Sequence, residues 1–169
     1  NFALSRKYQA LVGLLKLMTR DVYSFGQFIS EILALAMDSV KSEAGSFIEM
    51  DHQNKCMFFR AVAGNSSQNL LNFTIPAGQG IAGFVCDNQQ PMNLSNVDES
   101  ASFLRTLSDT VGFEAKNLLA YPIVIRGVTF GCIALLNKIG EDDYSVSDKE
   151  VLSTFAEHAG KAIENRLLM

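Results

Sequence analysis

Two apolar runs in the second half of the chain, Leu118 to Ile125 and Val128 to Ile139, are separated only by Arg126 and Gly127. A two-residue connection leaves no room for a crossover, so the runs must pair back on each other as an antiparallel hairpin. Any fold for this chain has to be built around that hairpin. A second one is marked earlier. The run Gly45 to Met50 (GSFIEM) and the run Cys56 to Ala63 (CMFFRAVA) flank the turn cluster Asp51-His52-Gln53-Asn54-Lys55, which predicts another strand pair. Leu71 to Ile75 alternates in the manner of a half-buried strand.

Helical periodicity surrounds the strands. Phe28, Ile29, Ile32, Leu33, Ala36 and Val40 form one face of a helix over Phe25 to Val40, with Ser24 as its N-cap. At the C-terminal end Ser147-x-x-Glu150 reads as a capping box. Leu152, Phe155, Ala159 and Ala162 follow at +3, +4 and +3. At the N-terminal end Leu4, Tyr8, Leu11, Leu15 and Met18 form a heptad-like seam of about two heptads. The seam is either a core-facing stripe or a dimer stalk. Helices that bracket an antiparallel sheet make this an α+β chain.

Composition narrows the function. With 169 residues and 48% hydrophobic content, one domain can bury a real core. The net charge is −4 and Lys and Arg form no runs, which leaves no basic stripe for nucleic acid. No apolar run reaches the roughly 20 residues that span a bilayer, and no signal peptide is visible. A start at Asn1 suggests an excised piece of a longer protein. Cys56, Cys86 and Cys132 lack the paired spacing of a disulfide framework or a zinc site, and Cys86 has no neighbouring Cys along the chain. They read as three reduced thiols in a cytoplasmic domain. His52 lies in a polar turn and His158 on the last helix, too separated in context for a metal site. Gly78-x-Gly80-x-x-Gly83 matches a dinucleotide fingerprint only superficially. Pro76 precedes it and no parallel strand follows, so the glycines read as turn formers. The N–H groups of Ile81 and Ala82 still offer a helix start to a phosphate or carbonyl.

The order of three segments carries a family resemblance. T-I-P-A-G-Q-G-I-A-G-F-V (Thr74 to Val85) comes first and Asp109-Thr110-Val111-Gly112-Phe113 second. Asn137-Lys138, a spacer, Tyr144 and Asp148 come third. Together they resemble the GAF domain, the small-molecule sensor of cyclic-nucleotide phosphodiesterases, adenylyl cyclases and bacterial signalling proteins. The resemblance spans roughly Phe25 to Leu168. It implies an antiparallel sheet of about six strands, with the terminal helices together on one face. Short helices between Gly80 and Gly112 would enclose a pocket on the other face. Residues 1–22 then form a connecting or dimerisation helix, residues 25–146 the sensor core and residues 147–169 the C-terminal helix.

The resemblance also implies a ligand site made by Ser46, Val62, Ala63, Ile81, Ala82, Leu104, Asp109, Val111, Ala115 and Ala134. Asn137, Lys138, Tyr144 and Asp148 would be the structural signature, with Lys138 paired to Asp148. Several polar groups of cyclic-nucleotide-binding members are missing. Val111 stands for a Thr, Leu104 for a Tyr and Ala134 for a Glu, and Ala115 replaces another polar residue. In the signature Tyr144 stands for a Phe and Lys149 for a Glu. Each unsatisfied buried polar group costs a ligand about 1–3 kcal/mol.

The expected function is therefore regulatory and non-catalytic: binding of a small molecule, a cyclic nucleotide among the candidates, with no obligatory cofactor or metal. The implied partners are a second copy through the terminal helices and an output domain such as a phosphodiesterase, cyclase or kinase. Nucleic acid and membrane insertion are not expected. Two alternatives stay open. One is a ligand-free dimerisation module. The other is a free methionine sulfoxide reductase, although Ala82 stands where that branch carries a cysteine.

Overall fold

The computed structural model describes residues 2–19, 24–64, 70–71, 73–95 and 115–168. The elements run in the order α1 (Phe2–Met18), α2 (Phe25–Val40), β1 (Ser42–Asp51), β2 (Cys56–Gly64), β3 (Thr74–Pro76), α3 (Gly80–Asn88), β4 (Met92–Ser95), β5 (Asn117–Ile125), β6 (Val128–Lys138) and α4 (Val146–Leu167). The strands form one sheet in the order β3-β2-β1-β6-β5-β4, and each neighbouring pair is antiparallel.

Both hairpins form as their turns dictate. β5 and β6 are joined by Arg126 (φ 51°) and Gly127 (φ 79°), the two positive-φ residues of a type I′ turn. Ile125 pairs with Val128 directly behind it. β6 then pairs on its other side with β1, Ser46 opposite Ala134 and Ala44 opposite Leu136. The middle of the sheet therefore joins the early and late parts of the chain.

Alternation along β6 divides the interior in two. Ile133 and Leu135 point to one layer, where Phe28, Ile29, Ile32, Leu33, Ala36 and Val40 of α2 meet Leu152, Phe155, Ala159 and Ile163 of α4. Cys132, Ala134 and Leu136 point to the other, where Ala82, Val85 and Cys86 of α3 pack with Met57, Leu118 and Ala120. Because both faces of β6 are covered, its sequence is a continuous apolar run. α1, α2 and α4 lie together on the first face, as expected, and α3 lies on the second. Among the described residues no helix is long and apolar enough to cross a membrane.

Four expectations are corrected in detail. First, α1 turns Ala10, Leu14 and Leu17 into the core and leaves Leu4 (64%), Tyr8 (70%) and Leu15 (61%) exposed. The core stripe lies beside the heptad seam, of which Leu11 and Met18 still pack against the core while Leu4, Tyr8 and Leu15 face outward. Second, the capping box of α4 uses Ser145 and Asp148 rather than Ser147 and Glu150. The Ser147 hydroxyl instead accepts from Arg6. Third, β3 is displaced to Thr74–Pro76, and Leu71 makes only an isolated bridge to Phe59. Pro76 is tolerated because β3 is an edge strand. Fourth, β4 was not anticipated: four residues are too few to show a period. The helix at Phe25–Val40 is capped by Ser24 as predicted, its hydroxyl accepting from the Gln27 N–H at 3.1 Å.

Candidate ligand cavity and the ion cluster behind the sheet

A row of side chains crosses the α3 side of the sheet in register. Val62 of β2 lies opposite Ser46 of β1, Ser46 opposite Ala134 of β6, and Ala134 opposite Ala120 of β5. Three of these four side chains are very small. The space above them is roofed by Ile81 and Ala82 of α3 and walled by Ile48, Phe59, Leu118, Cys132 and Leu136, leaving a cavity of about 100 Å3.

α3 reaches this position through a tight entry. Gly78 has φ 82° and Gly80 φ 69°, backbone that favours glycine. A Cβ on Gly83 would stand 2.3 Å from the Gly78 carbonyl carbon. These glycines let the chain fold back over the sheet, so the glycine pattern serves packing.

Ser46, Ile81, Ala82 and Ala134 line the cavity. Val62 and Ala115 belong to the same apolar cluster without lining it. Ala63 does not belong to this face. It pairs with Gly45 and packs on the helical layer, because neighbours on a strand point to opposite sides. Leu104, Asp109 and Val111 lie outside the described residues. Ile48, Phe59, Leu118, Ala120, Cys132 and Leu136 were missed. Their signal was available as the alternate positions of strands whose in-facing parity was not worked out.

Cys132 at the cavity wall contacts the Cys86 thiol of α3, an encounter that sequence separation hid. The hydrogen bond to Cys86, and then burial, hold the Cys132 thiol well above its ordinary range. A protonated thiol is neither nucleophile nor ligand. Thr129 donates to the Cys86 carbonyl at 2.8 Å and fixes α3 to β6. His52 Nε2 lies 2.9 Å from the Thr129 carbonyl oxygen, and His158 Nδ1 2.9 Å from that of Thr154. Among the described residues no cluster of His, Cys, Asp and Glu could hold a metal.

At the end of β6 the polar signature residues assemble. Lys138 Nζ lies 3.1 Å from Asp148 Oδ2 and donates to the Val40 carbonyl at 2.8 Å. The Lys138 and Asp148 side chains are only 5% and 2% exposed. Arg6 of α1, not anticipated, completes the cluster. Its Nη1 donates to Asp148 Oδ1 at 2.7 Å and to the Ser39 carbonyl at 3.1 Å, while Nη2 donates to Ser147 Oγ at 2.8 Å. Burial raises the Asp148 carboxyl, but the Ser145 N–H, Arg6 and Lys138 outweigh it and hold the group below its ordinary value. Tyr144 hydrogen-bonds Ser42 Oγ at 2.8 Å, and burial pushes its phenol up. Asn137 takes a positive φ of 63° and accepts from the Lys116 N–H at 2.7 Å. Asn117, also missed, accepts from the Lys138 N–H at 2.9 Å and donates to the Asp142 carbonyl. These residues tie β5, β6, α1, α2 and α4 at one corner.

This arrangement coincides with a family match. The GAF domain family model matches residues 23–164, most of the chain. The chain is a GAF domain. Among its relatives, the probable 3′,5′-cyclic phosphodiesterase pde-5 of Caenorhabditis elegans is 23% identical over 180 residues, covering 99% of this chain and 24% of that protein. The cone cGMP-specific 3′,5′-cyclic phosphodiesterase subunit alpha′ of Mus musculus is 25% identical, covering 75% of this chain and 18% of that protein. This GAF domain thus spans about a quarter or less of these relatives. The GAF domain of a phosphoenolpyruvate-protein phosphotransferase from Coxiella burnetii superposes with a TM-score of 0.75 at 18% identity, covering 96% of this chain and 92% of that one. That likeness shows the fold alone.

Proposed function

We propose that this GAF domain is a regulatory, non-catalytic module that binds a small molecule in the cavity under α3 and passes the event to the terminal helices. The observation that carries the reading is the void itself. A well-packed core leaves few spaces of this size, yet here small side chains in register across three central strands keep about 100 Å3 open. β6 contributes both the cavity floor and Lys138, which reaches Asp148 and, through it, Arg6 of α1. A ligand that favours one position of β6 would bias the helical corner, provided its affinity differs between the two arrangements.

The output we propose is a phosphodiesterase domain elsewhere in the parent protein, by analogy with the named relatives. Cyclic nucleotides are the ligand class those relatives suggest. From the resemblance, Leu104, Asp109 and Val111 would surround the ligand together with the described lining, with Val62 and Ala115 in the apolar cluster behind it. We place the domain in the cytoplasm.

The exposed part of the α1 seam favours a second, compatible reading. Leu4, Tyr8 and Leu15 expose apolar surface along one line, which suits pairing with a second copy. In its strict form this is a dimerisation module without ligand. A thermal-shift screen with cyclic AMP, cyclic GMP and a metabolite panel, with native mass spectrometry on the same sample, separates the readings. The sensor reading expects at least one compound to stabilise the domain, by about 2.7 kcal/mol at a hundredfold excess over its Kd. A dimer that no compound stabilises would favour the module without ligand.

A further inference from the structure

We propose that Cys86 and Cys132 form a peroxide-responsive dithiol, whose oxidation to a disulfide ties α3 to β6 and locks the roof of the cavity to its floor. The proposal gives the site of the sensor reading above a covalent gate. The link itself is measured without any ligand, so either idea can fail alone.

Register places the two sulfurs at the site. Ala82 and Cys86 stand four apart on α3 and share one face of the helix. Cys132 and Ala134 stand two apart on β6 and share one face of the sheet. Ala82 roofs the cavity, and Cys132 and Ala134 line it from β6. Beside that roof and floor the two thiols are in hydrogen-bond contact. The Thr129 hydroxyl, donating to the Cys86 carbonyl at 2.8 Å, holds this turn of α3 against the same strand. A disulfide between two packed elements needs sulfurs that already meet, and these do.

The cavity offers the oxidant a place beside them. Cys132 lines a space of about 100 Å3, several times the roughly 10–15 Å3 that holds one water, and hydrogen peroxide is neutral and little larger than water. Cys132 keeps its proton, held above its ordinary range, so the first attack falls to Cys86. The Cys86 sulfur bonds to one peroxide oxygen, the O–O bond breaks, and the departing hydroxide leaves as water with the proton that Cys86 gave up. The Cys132 sulfur then bonds to the Cys86 sulfur. The S–O bond of the sulfenic acid breaks, and the Cys132 proton leaves with that hydroxide as a second water. The two thiols lose two electrons and one peroxide gains them. With the link made, α3 cannot lift from β6, and a dithiol reductant restores the open state. Such reversible links are the usual use of disulfides in reducing compartments.

The test treats the 169-residue chain with hydrogen peroxide under native conditions. It is read by intact mass, a non-reduced tryptic map, hydrogen exchange and Tm. Cleavage after Lys and Arg puts Cys56, Cys86 and Cys132 on separate peptides, 56–60, 61–105 and 127–138. We expect the loss of two hydrogens, a linked pair of peptides 61–105 and 127–138, slower exchange in α3 and a Tm rise of about 5–10 °C. Dithiothreitol should reverse all four. Cys56→Ser should keep the response. Cys86→Ala and Cys132→Ala should each abolish the link and the Tm rise, and if either fails to fold, the map of the unsubstituted chain decides. Peroxide that links only Cys56, or that stops at sulfenic or sulfinic acid, would overturn the dithiol. A link between Cys86 and Cys132 that forms only in denaturant, or that leaves exchange in α3 unchanged, would overturn the lock.

Discussion

Asp148 is the residue on which most of the polar architecture turns. It faces two cations and caps its own helix, and its side chain is nearly inaccessible. Removing one member of a buried pair leaves an uncompensated charge, so Asp148→Ala should cost about 3–5 kcal/mol in urea unfolding at neutral pH. The pH dependence has a definite sign. The folded state holds the Asp148 carboxyl below its ordinary value of 3.8. The associated stability is therefore present above that value and lost as pH falls through the lower folded one. Asp148→Asn should flatten this acid limb, checked by melts from pH 7 down to about 2. The cysteines make a second residue-scale prediction. Cys86 and Cys132 are buried while Cys56 is partly accessible, so limited iodoacetamide under native conditions should label Cys56 first by peptide mass spectrometry. Part of this was legible in the sequence and part was not. Lys138 and Asp148 were paired in advance, because the family resemblance set them at a strand end and a helix start that can meet. Arg6 lies 142 positions from Asp148, and nothing local marks it. The two Ser-x-x-acid frames of α4 overlap, and sequence alone favoured the wrong one.

At the scale of elements, α1 and α4 show how one helix can carry two demands. Leu14 of α1 is 3% exposed and Leu15 is 61% exposed, one position apart. Leu14→Ala should cost about 2–5 kcal/mol. Leu15→Ala should change monomer stability by no more than about 0.5 kcal/mol, while weakening any pairing of α1 with a second copy in sedimentation. α4 approaches β5 so closely that a Cβ on Gly160 would lie 2.7 Å from the Val124 carbonyl oxygen. Gly160→Ala should therefore lower stability by about 1–3 kcal/mol, despite alanine's better helix propensity, and a melting curve checks the sign. The hairpin β5–β6 was legible because its turn chemistry leaves one solution. β4 was not, being only four residues long. The heptad seam of α1 was read correctly as a pattern but left undecided as to facing, since periodicity shows that a stripe exists and not what covers it.

For the whole molecule, the sheet separates two different kinds of interior. The helical side is filled by large side chains and closed at one corner by the Arg6–Asp148–Lys138 cluster. The α3 side keeps a cavity over small ones. The α+β class was legible from the order of helices and strands, and the two-layer arrangement came from the family resemblance. The cavity floor was only half legible, because Ser46 and Ala134 came from the family resemblance while Ala120, Ile48 and Leu118 needed strand register. The central claim is that a guest on the α3 side is felt by the terminal helices through β6. Hydrogen–deuterium exchange with and without a stabilising ligand tests it most directly. The account predicts slowed exchange in α3 and β6 and, in the same sample, altered exchange in α1 and at the N-terminal turn of α4. Protection confined to α3 and the cavity strands, with both terminal helices unchanged, would contradict it.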